Sequence, residues 1–427
     1  MQRIVIARSL LFAGLILPVF ILSTGYMNSL VKKFTITHFG AVPDGTTLNT
    51  KAIQKTIDVC SENGGGEVII PKGVFVSGAI FLKKGVALRI DKEGVLKGSV
   101  NRSDYPQVKT RWEGTEMMYM AALVNADGLV NVKISGDGTI DGSGDVWRQN
   151  IANRIDTATI AGRRWERPRL VCIQNCNDVE LSGLRLHNQA VWCVHILYCK
   201  DVDIDGLDIS ADHNIPSSDG IDIDSSKDVE IRKCHIDVND DCISIKSGKD
   251  EDGLRVNRPS EDILVKNCHF GYGHGGVAMG SETSGGIRNV LIKDCLADAG
   301  NWAPIRFKSQ PSRGGVVENI RYENIKLNGT RKAVEFNMAW RMVPPVKPPA
   351  RILPVVRNVQ LMGLVGNVNT VGDIHGLEGS PIIGVTFRNC KLSAEKGLLI
   401  EHARKVDLSG LTMEVKQGEP VINNDVE

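Results

Sequence analysis

The strongest constraint on the fold is a short pattern that recurs through most of the chain. Each copy holds an alternating apolar strand, a break and a second short strand. The copies begin at Asn131, Asp178, Asp201, Asp228, Asp262, Asn289, Asn319, Asn358, Gly384 and Lys405. From Asp178 onward they are 21 to 39 residues apart. That spacing leaves no room for a crossover helix, so we expect each copy to be one coil of β-strands stacked on its neighbours.

A second strand with the same alternation lies between the copies. Aligning its apolar positions places five pairs in one inward-facing ladder: Ile221/Ile223, Ile243/Ile245, Val277/Met279, Ile305/Phe307 and Val334/Phe336. A chain that must bury two such ladders without crossover helices is predicted to form an all-β, single-stranded, right-handed parallel β-helix. Ile243 and Val277 are therefore expected to pair in the same sheet.

One helix is predicted before the repeats, in the stretch "NTKAIQKTIDVCSENGGG". Asn49 or Thr50 can cap its start, and the glycines from Gly64 onward end it. Its apolar stripe consists of Ala52, Ile53, Ile57 and Cys60. Because the end of a solenoid exposes unpaired backbone and apolar core, we expect this short N-terminal helix to cap the first coil.

The first residues predict export. Arg3 and Arg8 precede a 13-residue apolar run, Leu10 to Leu22, which suits the hydrophobic region of a signal peptide and is short for a membrane span. We expect a signal peptide over residues 1–28, with its cleavage position open, and one β-helix domain over residues 29–427. The location would be periplasmic or extracellular, with an uncleaved membrane anchor as the alternative. Beyond this segment we expect no membrane contact, and we expect a monomer.

Composition narrows the partners and the cysteine chemistry. The chain has 51 basic and 50 acidic residues, so it has no global field to hold a polyanion, and nucleic acid is disfavoured. An acidic ligand must be held by locally placed Arg or Lys. Four of the ten cysteines occupy a core position held elsewhere by Leu or Ile, so we expect buried free thiols and not disulfides. These four are Cys234, Cys268, Cys295 and Cys390.

Three carboxylates stand in front of two stacked strands, in "SSDGIDIDSS" and "DDCISIKSG". In the alignment, Asp219 and Asp241 take the same place on consecutive coils, and Asp240 takes the place that His274 has on the next coil. Parallel strands lie about 4.8 Å apart. The three carboxylates and the imidazole are therefore expected to converge on one patch.

The alternation must break for this patch to form. Counted from Ile221, strict alternation turns Asp219 inward, so the backbone must depart from the pattern at Gly220 and at Cys242. Gly220 makes the first departure easy, whereas Cys242 gives no such help.

Such a cluster suits glycoside hydrolysis. Like charges held together raise the pKa of one member, and a raised carboxylic acid can protonate a leaving oxygen while another carboxylate activates water. One coil beyond His274, Arg306 and Lys308 point outward and can hold an anionic sugar. A single Asp before a strand is usually a turn residue, but that interpretation does not explain the whole set.

At these residues the chain resembles glycoside hydrolase family 28, the polygalacturonases. The segments "SDGIDID", "NDDC", "GHGGVAMGSE" and "RFK" stand in the order and roughly the spacing of that family's four motifs. The resemblance extends to "FGAVPDGTTLNTKAIQKTID" and "GTIDGSGDVW" nearer the start. Two positions depart from it: the usual Asn-Thr is Ser217-Ser218, and the usual Ile between the Arg and the Lys is Phe307.

The resemblance implies a pectin-lyase-like solenoid and an inverting hydrolase of pectic oligosaccharides or polysaccharides that contain galacturonic acid. It implies that Asp240 is the general acid, that Asp219 and Asp241 activate water, and that His274 orients or tunes the acid. It implies neither a metal nor a cofactor. The residues implied to bind a uronate carboxylate are Arg306 and Lys308.

A more specific resemblance predicts where along the substrate chain the enzyme cleaves. The run "SGKDEDGLRVNRPSEDILVKNC" with "GSETSGGIRNV" is most similar to exo-acting bacterial members, so we expect release of single galacturonate units from the non-reducing end. The cleft must then be blocked on one side, and the candidate walls are Arg102–Met120, Asn150–Arg169 and Arg341–Pro354. The alternatives are an endo-polygalacturonase, a rhamnogalacturonan-directed hydrolase, a calcium-dependent pectate-lyase-like enzyme and a non-catalytic β-helix binding protein.

Overall fold

A computed structural model describes residues 31–152, 166–340 and 348–426. The signal peptide predicted over residues 1–28 lies outside the described residues. Residues Lys32–Glu427 form one compact unit. In the described ranges, no helix is both long enough and apolar enough to cross a membrane.

Most of the described residues lie in strands that wind into stacked coils and form three parallel sheets, which we name A, B and C. Sheet A contains Lys33–Thr35, Gly66–Ile70, Val86–Ile90, Val130–Gly136, Asn177–Ser182, Lys200–Asp205, Lys227–Arg232, Ser260–Lys266, Ile287–Lys293, Val316–Glu323, Val355–Met362 and Ile382–Arg388. Sheet B contains Asp44–Leu48, Gly73–Ser77, Gly94–Gly98, Thr139–Asp141, Arg185–His187, Asp208–Ser210, His235–Asp237, His269–Phe270 and Leu296–Asp298. Sheet C contains Ile80–Phe81, Val124–Asp127, Val171–Gln174, Val194–Leu197, Ile221–Asp224, Ile243–Lys246, Gly273–Met279 and Asn301–Lys308.

The last coils are built from longer strands that continue from sheet B into sheet C. These are Lys326–Asn337, Val365–His375, Cys390–Asp407 and Leu411–Val426. A separate antiparallel hairpin is formed by Gln107–Trp112 and Thr115–Met120. The helices of the described ranges are α1 (Thr50–Glu62), α2 (Gly144–Ala152) and α3 (Asp250–Val256), with short 3-10 turns at Ile36–Phe39 and Arg102–Asp104.

The predicted inward ladder forms the core beneath sheet C. Ile243 pairs with Val277, as expected, and Val277 pairs in turn with Ile305. All ten side chains of the ladder are buried. Near its end the rings of Phe307 and Phe336 stack with centroids 4.2 Å apart. The parallel β-helix predicted from the repeat is confirmed.

All ten cysteines are buried free thiols, as predicted for the four in the repeat. The thiol of Cys268 donates to the Lys266 carbonyl at 3.4 Å, and that of Cys295 donates to the Lys293 carbonyl at 3.2 Å. Each thiol therefore bonds to a carbonyl of its own coil. These cysteines pack as small apolar residues with a weak donor.

Helix α1 lies against the first coils and covers their core. Its residues Ile53, Ile57 and Cys60 are fully buried, as the predicted stripe requires. The helix begins at the expected place with Asn49 at its N-cap position, but neither Asn49 nor Thr50 supplies the predicted side-chain cap. The Asn49 carboxamide bonds instead to the backbone of Val42, and the Thr50 hydroxyl accepts from the Gly78 amide at 2.7 Å. Both polar side chains tie the helix to neighbouring loops.

Candidate active site

The three predicted carboxylates converge on the outer side of sheet C. One oxygen from each of Asp219, Asp240 and Asp241 lies within 4.8 Å of the others. Asp219 and Asp241 are buried, whereas the Asp240 side chain is 26% exposed. A reacting group that enters from solvent therefore meets Asp240 first.

The predicted break in alternation explains how these side chains face outward. A Cβ added at Gly220 would lie 2.6 Å from Cγ2 of Ile236 and 2.4 Å from the Cys242 carbonyl, so position 220 faces the core. Ile221 is also fully buried. Cys242 repeats the arrangement one coil later, with its thiol 3.6 Å from the Ile236 carbonyl. Two successive inward positions turn the preceding Asp outward, and both inward residues are small enough to fit.

Two cations from a later coil hold Asp241. The Lys308 ammonium lies 2.5 Å from Oδ2 of Asp241, and Nη1 of Arg306 lies 3.3 Å from Oδ1. Between them and Asp241, sheet C carries the small residues Ser244, Gly275 and Ala278. Those small residues leave room for the long side chains to lie across the sheet. Arg306 and Lys308 are therefore placed together with the carboxylates, as predicted.

His274 lies beside Asp240, also as predicted. Its Nδ1 is 3.4 Å from Oδ1 of Asp240, and its backbone amide donates to the Asp240 carbonyl at 3.0 Å. The hydrogen bond to Asp240 raises the pKa of His274. Burial favours a higher pKa for Asp240, but the hydrogen bond with His274 and the charge of Lys308 outweigh it, so the pKa of Asp240 is lowered.

The expected raised pKa falls on Asp219. Burial and the nearby charges of Asp222 and Asp240 hold the pKa of Asp219 well above its usual range. Among the three aspartates, the raised pKa of Asp219 therefore favours its protonated form, and the lowered pKa of Asp240 favours its ionised form. This assignment differs from the sequence-based expectation that the general acid would also have the raised pKa.

A second buried group of charges, which was not predicted from the sequence, lies beside Asp219. The Lys246 ammonium lies 3.9 Å from Asp219, 3.5 Å from Asp222 and 3.3 Å from Glu282. Burial opposes the charge of Lys246, but these carboxylates raise its pKa well above the usual range. Burial also favours a higher pKa for Glu282, yet Lys246 lowers it to about 2. Lys246 stands at an outward position of its strand, which alternation predicts, whereas its acidic partners cannot be read from that pattern.

The antiparallel hairpin packs on the coil that carries Asp219. Its residue Arg111 is fully buried and donates to Asp224 at 2.7 Å and to Ser225 at 2.8 Å. Trp112 packs against Trp192 with ring centroids 4.5 Å apart. The hairpin belongs to the first predicted wall segment, and it crosses the coil that carries Asp219.

The hairpin turn and its base are also fixed. At the turn, the Gly114 carbonyl accepts from the Lys249 amide at 2.9 Å. At the base, Arg169 bonds to His195, whose pKa burial lowers to about 4. His195 is thus a neutral buried residue. Parts of the other two wall segments, residues 153–165 and 341–347, lie outside the described residues.

Cations of the protein itself lie beside the aspartate cluster. The three aspartates are close enough to be cation ligands. However, Lys308 and Arg306 already neutralise Asp241, and Lys246 lies beside Asp219. The arrangement can therefore hold one proton, ionised carboxylates and a water molecule side by side, which is the requirement for acid and base catalysis at one bond.

Gly275 is predicted to be essential to this geometry. An added Cβ would lie 2.9 Å from Oδ1 of Asp241 and 3.3 Å from Cδ of Arg306, although the backbone there can accept alanine. Gly275→Ala should displace the carboxylate and lower kcat by roughly 10²-fold. Gly379→Ala is the matched control, because the nearest atom there ends the flexible Leu353 side chain. Steady-state assays that give equal kcat values for the two variants would contradict the prediction.

Comparisons with known proteins agree with this geometry. The family model described as glycosyl hydrolases family 28 matches residues 60–407. The chain is 28% identical over 435 residues to the exo-poly-alpha-D-galacturonosidase of Dickeya chrysanthemi, covering 89% of this chain and 71% of that protein. It is 28% identical over 365 residues to an endo-polygalacturonase of Pectobacterium carotovorum subsp. carotovorum, covering 81% of this chain and 84% of that protein. A solved exopolygalacturonase from Thermotoga maritima is 30% identical, with a TM-score of 0.74 and 92% of each chain covered.

Proposed function

The chain belongs to glycosyl hydrolases family 28, and on that basis we propose that it is an exo-acting polygalacturonase. It is a glycoside hydrolase of the polygalacturonase type. Its substrate is a pectic oligosaccharide or polysaccharide, from which it releases single galacturonate units at the non-reducing end. The observation that carries the exo assignment is the hairpin that crosses the coil of Asp219.

The exposure of Asp240 supports its role as the general acid. Among the three aspartates its side chain is the one open to solvent, so a glycosidic oxygen can reach it. Asp241 is held by Lys308 and Arg306, which keeps it an acceptor for water. Asp219 and Asp241 then activate the attacking water from the floor of the cleft.

Substrate binding shifts the proton from Asp219 to Asp240. In the free protein, the charge of Lys308 is one reason why the pKa of Asp240 is low. A uronate carboxylate bound at Arg306 and Lys308 neutralises that charge, and the pKa of Asp240 rises. Because the carboxyl groups of Asp219 and Asp240 are close neighbours, a proton on Asp219 becomes available to Asp240.

The stereochemical outcome follows from family membership and not from the carboxylate spacing. Inverting glycosidases commonly separate the two carboxyl groups by about 6.5–9.5 Å, and retaining ones by about 5–5.5 Å. The nearest oxygens here lie within 4.8 Å, which would by itself favour retention. We propose inversion, and proton NMR of the first-formed anomer distinguishes the two.

The wall favours release of single sugars. The Trp112–Trp192 contact and the Arg111–Asp224 ion pair fix the hairpin on the coil of Asp219, and the Lys246 ammonium lies over the ring of Trp192. In the order of the coils, Arg306 and Lys308 lie on the opposite side of the acid from the hairpin, so we infer that the hairpin limits the length of substrate on its own side. The terminal sugar therefore binds beneath the hairpin, and the rest of the chain leaves past Arg306.

The early products from a long, defined oligogalacturonide test this proposal. We expect galacturonic acid monomer and a substrate shortened by one unit at a time, because the hairpin stops the chain from sliding through. Mass analysis at low conversion is the measurement. A ladder of intermediate sizes with little monomer would support an endo-acting enzyme, as in the Pectobacterium relative.

The same experiment separates the remaining functions. An unsaturated, ultraviolet-absorbing product that disappears with a calcium chelator would support a lyase. Binding without any release of reducing sugar would support a non-catalytic protein. Faster turnover of rhamnose-containing oligosaccharides than of homogalacturonan would support a rhamnogalacturonan-directed hydrolase.

We also propose that the protein is exported and acts as a monomer. Arg3, Arg8 and the apolar run after them support a signal peptide. A polymeric substrate outside the cytoplasm requires an enzyme in the same compartment.

A further inference from the structure

The row of side chains that contains Asp240 and His274 continues over the next two coils. Gly273 and Gly275 pair with Asn301 and Ala303, so His274 is opposite Trp302. Ile305 pairs with Val334 on the following coil, and the same register places Trp302 opposite Arg331. Trp302 and Arg331 therefore extend the margin of the cleft away from the hairpin.

Arg331 has no acidic partner among the described residues. Its guanidinium carbon lies 3.9 Å above the ring centroid of Trp302, and its side chain is exposed. The adjacent Lys332, in contrast, is paired with Glu335 at 2.8 Å and with Asp373. The stacking fixes the plane of the Arg331 guanidinium while leaving its N–H groups free for a carboxylate.

Trp302 is itself held in place. Its indole N–H donates to Oε1 of Glu335 at 3.3 Å, and the other oxygen of Glu335 accepts from Nε of Arg306 at 2.7 Å. Glu335 is buried. One carboxylate therefore fixes both the proposed uronate-binding Arg306 and the ring that supports Arg331, so the distance between the two guanidinium groups is preset.

The spacing of the coils suits a sugar chain that runs along the β-helix. Neighbouring coils lie about 4.8 Å apart, which is close to the length of one unit in an extended pyranose chain. Arg331 is one coil beyond Arg306 and Lys308. Successive units of a 1,4-linked uronan are rotated about the chain axis, so consecutive carboxylates face different sides. Arg306 and Lys308 rise from the floor, and Arg331 stands at the margin.

We infer that Trp302 and Arg331 form a second uronate-binding subsite, one sugar beyond the unit held by Arg306 and Lys308. Arg331 binds the carboxylate of that sugar, and Trp302 keeps the guanidinium in position. The site selects for chains of at least three uronates with an unesterified third unit. This inference rests on the proposed function, because the sugar order follows from cleavage at Asp240 with the terminal unit beneath the hairpin.

The test compares digalacturonate with trigalacturonate as substrates for the full-length protein. Wild-type protein should have a higher kcat/KM on the trimer than on the dimer. Arg331→Gln should lower kcat/KM on the trimer by roughly three- to tenfold and leave the dimer unchanged, since exposed but oriented ion pairs contribute modestly. Arg331→Lys should lose part of the preference, because an ammonium keeps the charge without the planar stacking.

Arg321→Gln is the matched control. Arg321 forms an ion pair with Glu323 on sheet A, whereas the cleft lies on sheet C. It should leave both substrates unaffected, and the unfolding temperatures of both variants should match that of the wild type. A trimer that is methyl-esterified at its reducing-end unit provides a second readout. The kcat/KM of the wild-type protein on this trimer should equal the kcat/KM of the Arg331→Gln variant on the unmodified trimer.

The outcomes separate the inference from the proposed function. If wild-type protein releases no galacturonate from either oligomer, the proposed function is wrong. If it hydrolyses both and Arg331→Gln keeps the wild-type trimer-to-dimer ratio, the subsite is wrong and the proposed function stands. An equal loss on dimer and trimer would place Arg331 at the scissile bond and would also overturn the subsite.

Discussion

Replacing Asp240 with asparagine is expected to lower kcat by about 10²- to 10⁴-fold, the usual contribution of a general acid. The amide keeps the shape of the side chain and removes the transferable proton. Asp240 is partly exposed at the margin of the cluster, so the fold should be retained. Release of reducing sugar from oligogalacturonides, followed with an unfolding curve for the same preparation, measures both effects.

Asp228→Asn is a close control for this substitution. Asp228 has a left-handed backbone, with φ of 55°, at the position where later coils carry Asn289, Asn319 and Asn358 with nearly the same angle. The change therefore replaces Asp with the residue that the repeat itself uses there, on a sheet remote from the carboxylate cluster. An Asp240→Asn variant that kept half of the control's activity would refute the acid assignment. Asp219→Asn and Asp241→Asn should also be inactive, because each loses a base for water.

The fold and the grouping of the central carboxylates could be predicted from the sequence because both depend on local patterns. The period-2 alternation determines which side chains face the core, and the repeat length determines which residues stack. Together they placed Ile243 against Val277 and brought Asp219 next to Asp241. The break at Gly220 followed from the same counting. Only small residues could occupy the extra inward position.

The two departures from the family motifs have different physical meanings. Phe307 points into the core and stacks on Phe336, so this substitution changes packing and not the cleft. Ser218 is fully buried, and its hydroxyl accepts from the Asn239 amide at 3.2 Å. This bond joins the strand entry before Asp219 to the segment that leads into Asp240. The serine therefore supports the site from behind.

The contacts of the hairpin could not be predicted from the sequence in the same way. Arg111 and Asp224 are 113 residues apart, and no periodicity relates an irregular insertion to the coil on which it folds. The sequence indicated Arg102–Met120 as a candidate wall, but it gave neither the antiparallel pairing nor the buried ion pair. Lys246 was missed for another reason. Alternation predicts its outward position, but its partner Glu282 lies 36 residues away, beyond the end of the next strand of sheet C.

Replacing Lys246 with methionine is expected to give the largest loss of stability. Lys246 is the cation that lies within 4 Å of Asp219, Asp222 and Glu282, and all four side chains are buried. Removing one partner of a buried charge group leaves the others uncompensated, which costs about 3–5 kcal/mol. Both carboxylate oxygens of Asp222 already lack a hydrogen bond, so this residue cannot compensate for the loss. Chemical denaturation at neutral pH measures the change in the free energy of unfolding.

The pH dependence of this loss distinguishes a charge effect from a packing effect. Without Lys246, the already raised folded-state pKa values of Asp219 and Asp222 rise further, and Glu282 loses the main cause of its lowered pKa. The unfolded-state pKa values of these groups lie near 4. Stability is then retained below the unfolded-state pKa and lost as the pH rises through the folded-state pKa. The variant should therefore approach wild-type stability at acidic pH and diverge from it at neutral pH. Lys266→Met removes a lysine from a partly exposed pair with Glu230 and should cost about 1 kcal/mol or less. A Lys246→Met penalty that was equal at all pH values would indicate lost packing, and the charge-balancing role of Lys246 would have to be abandoned.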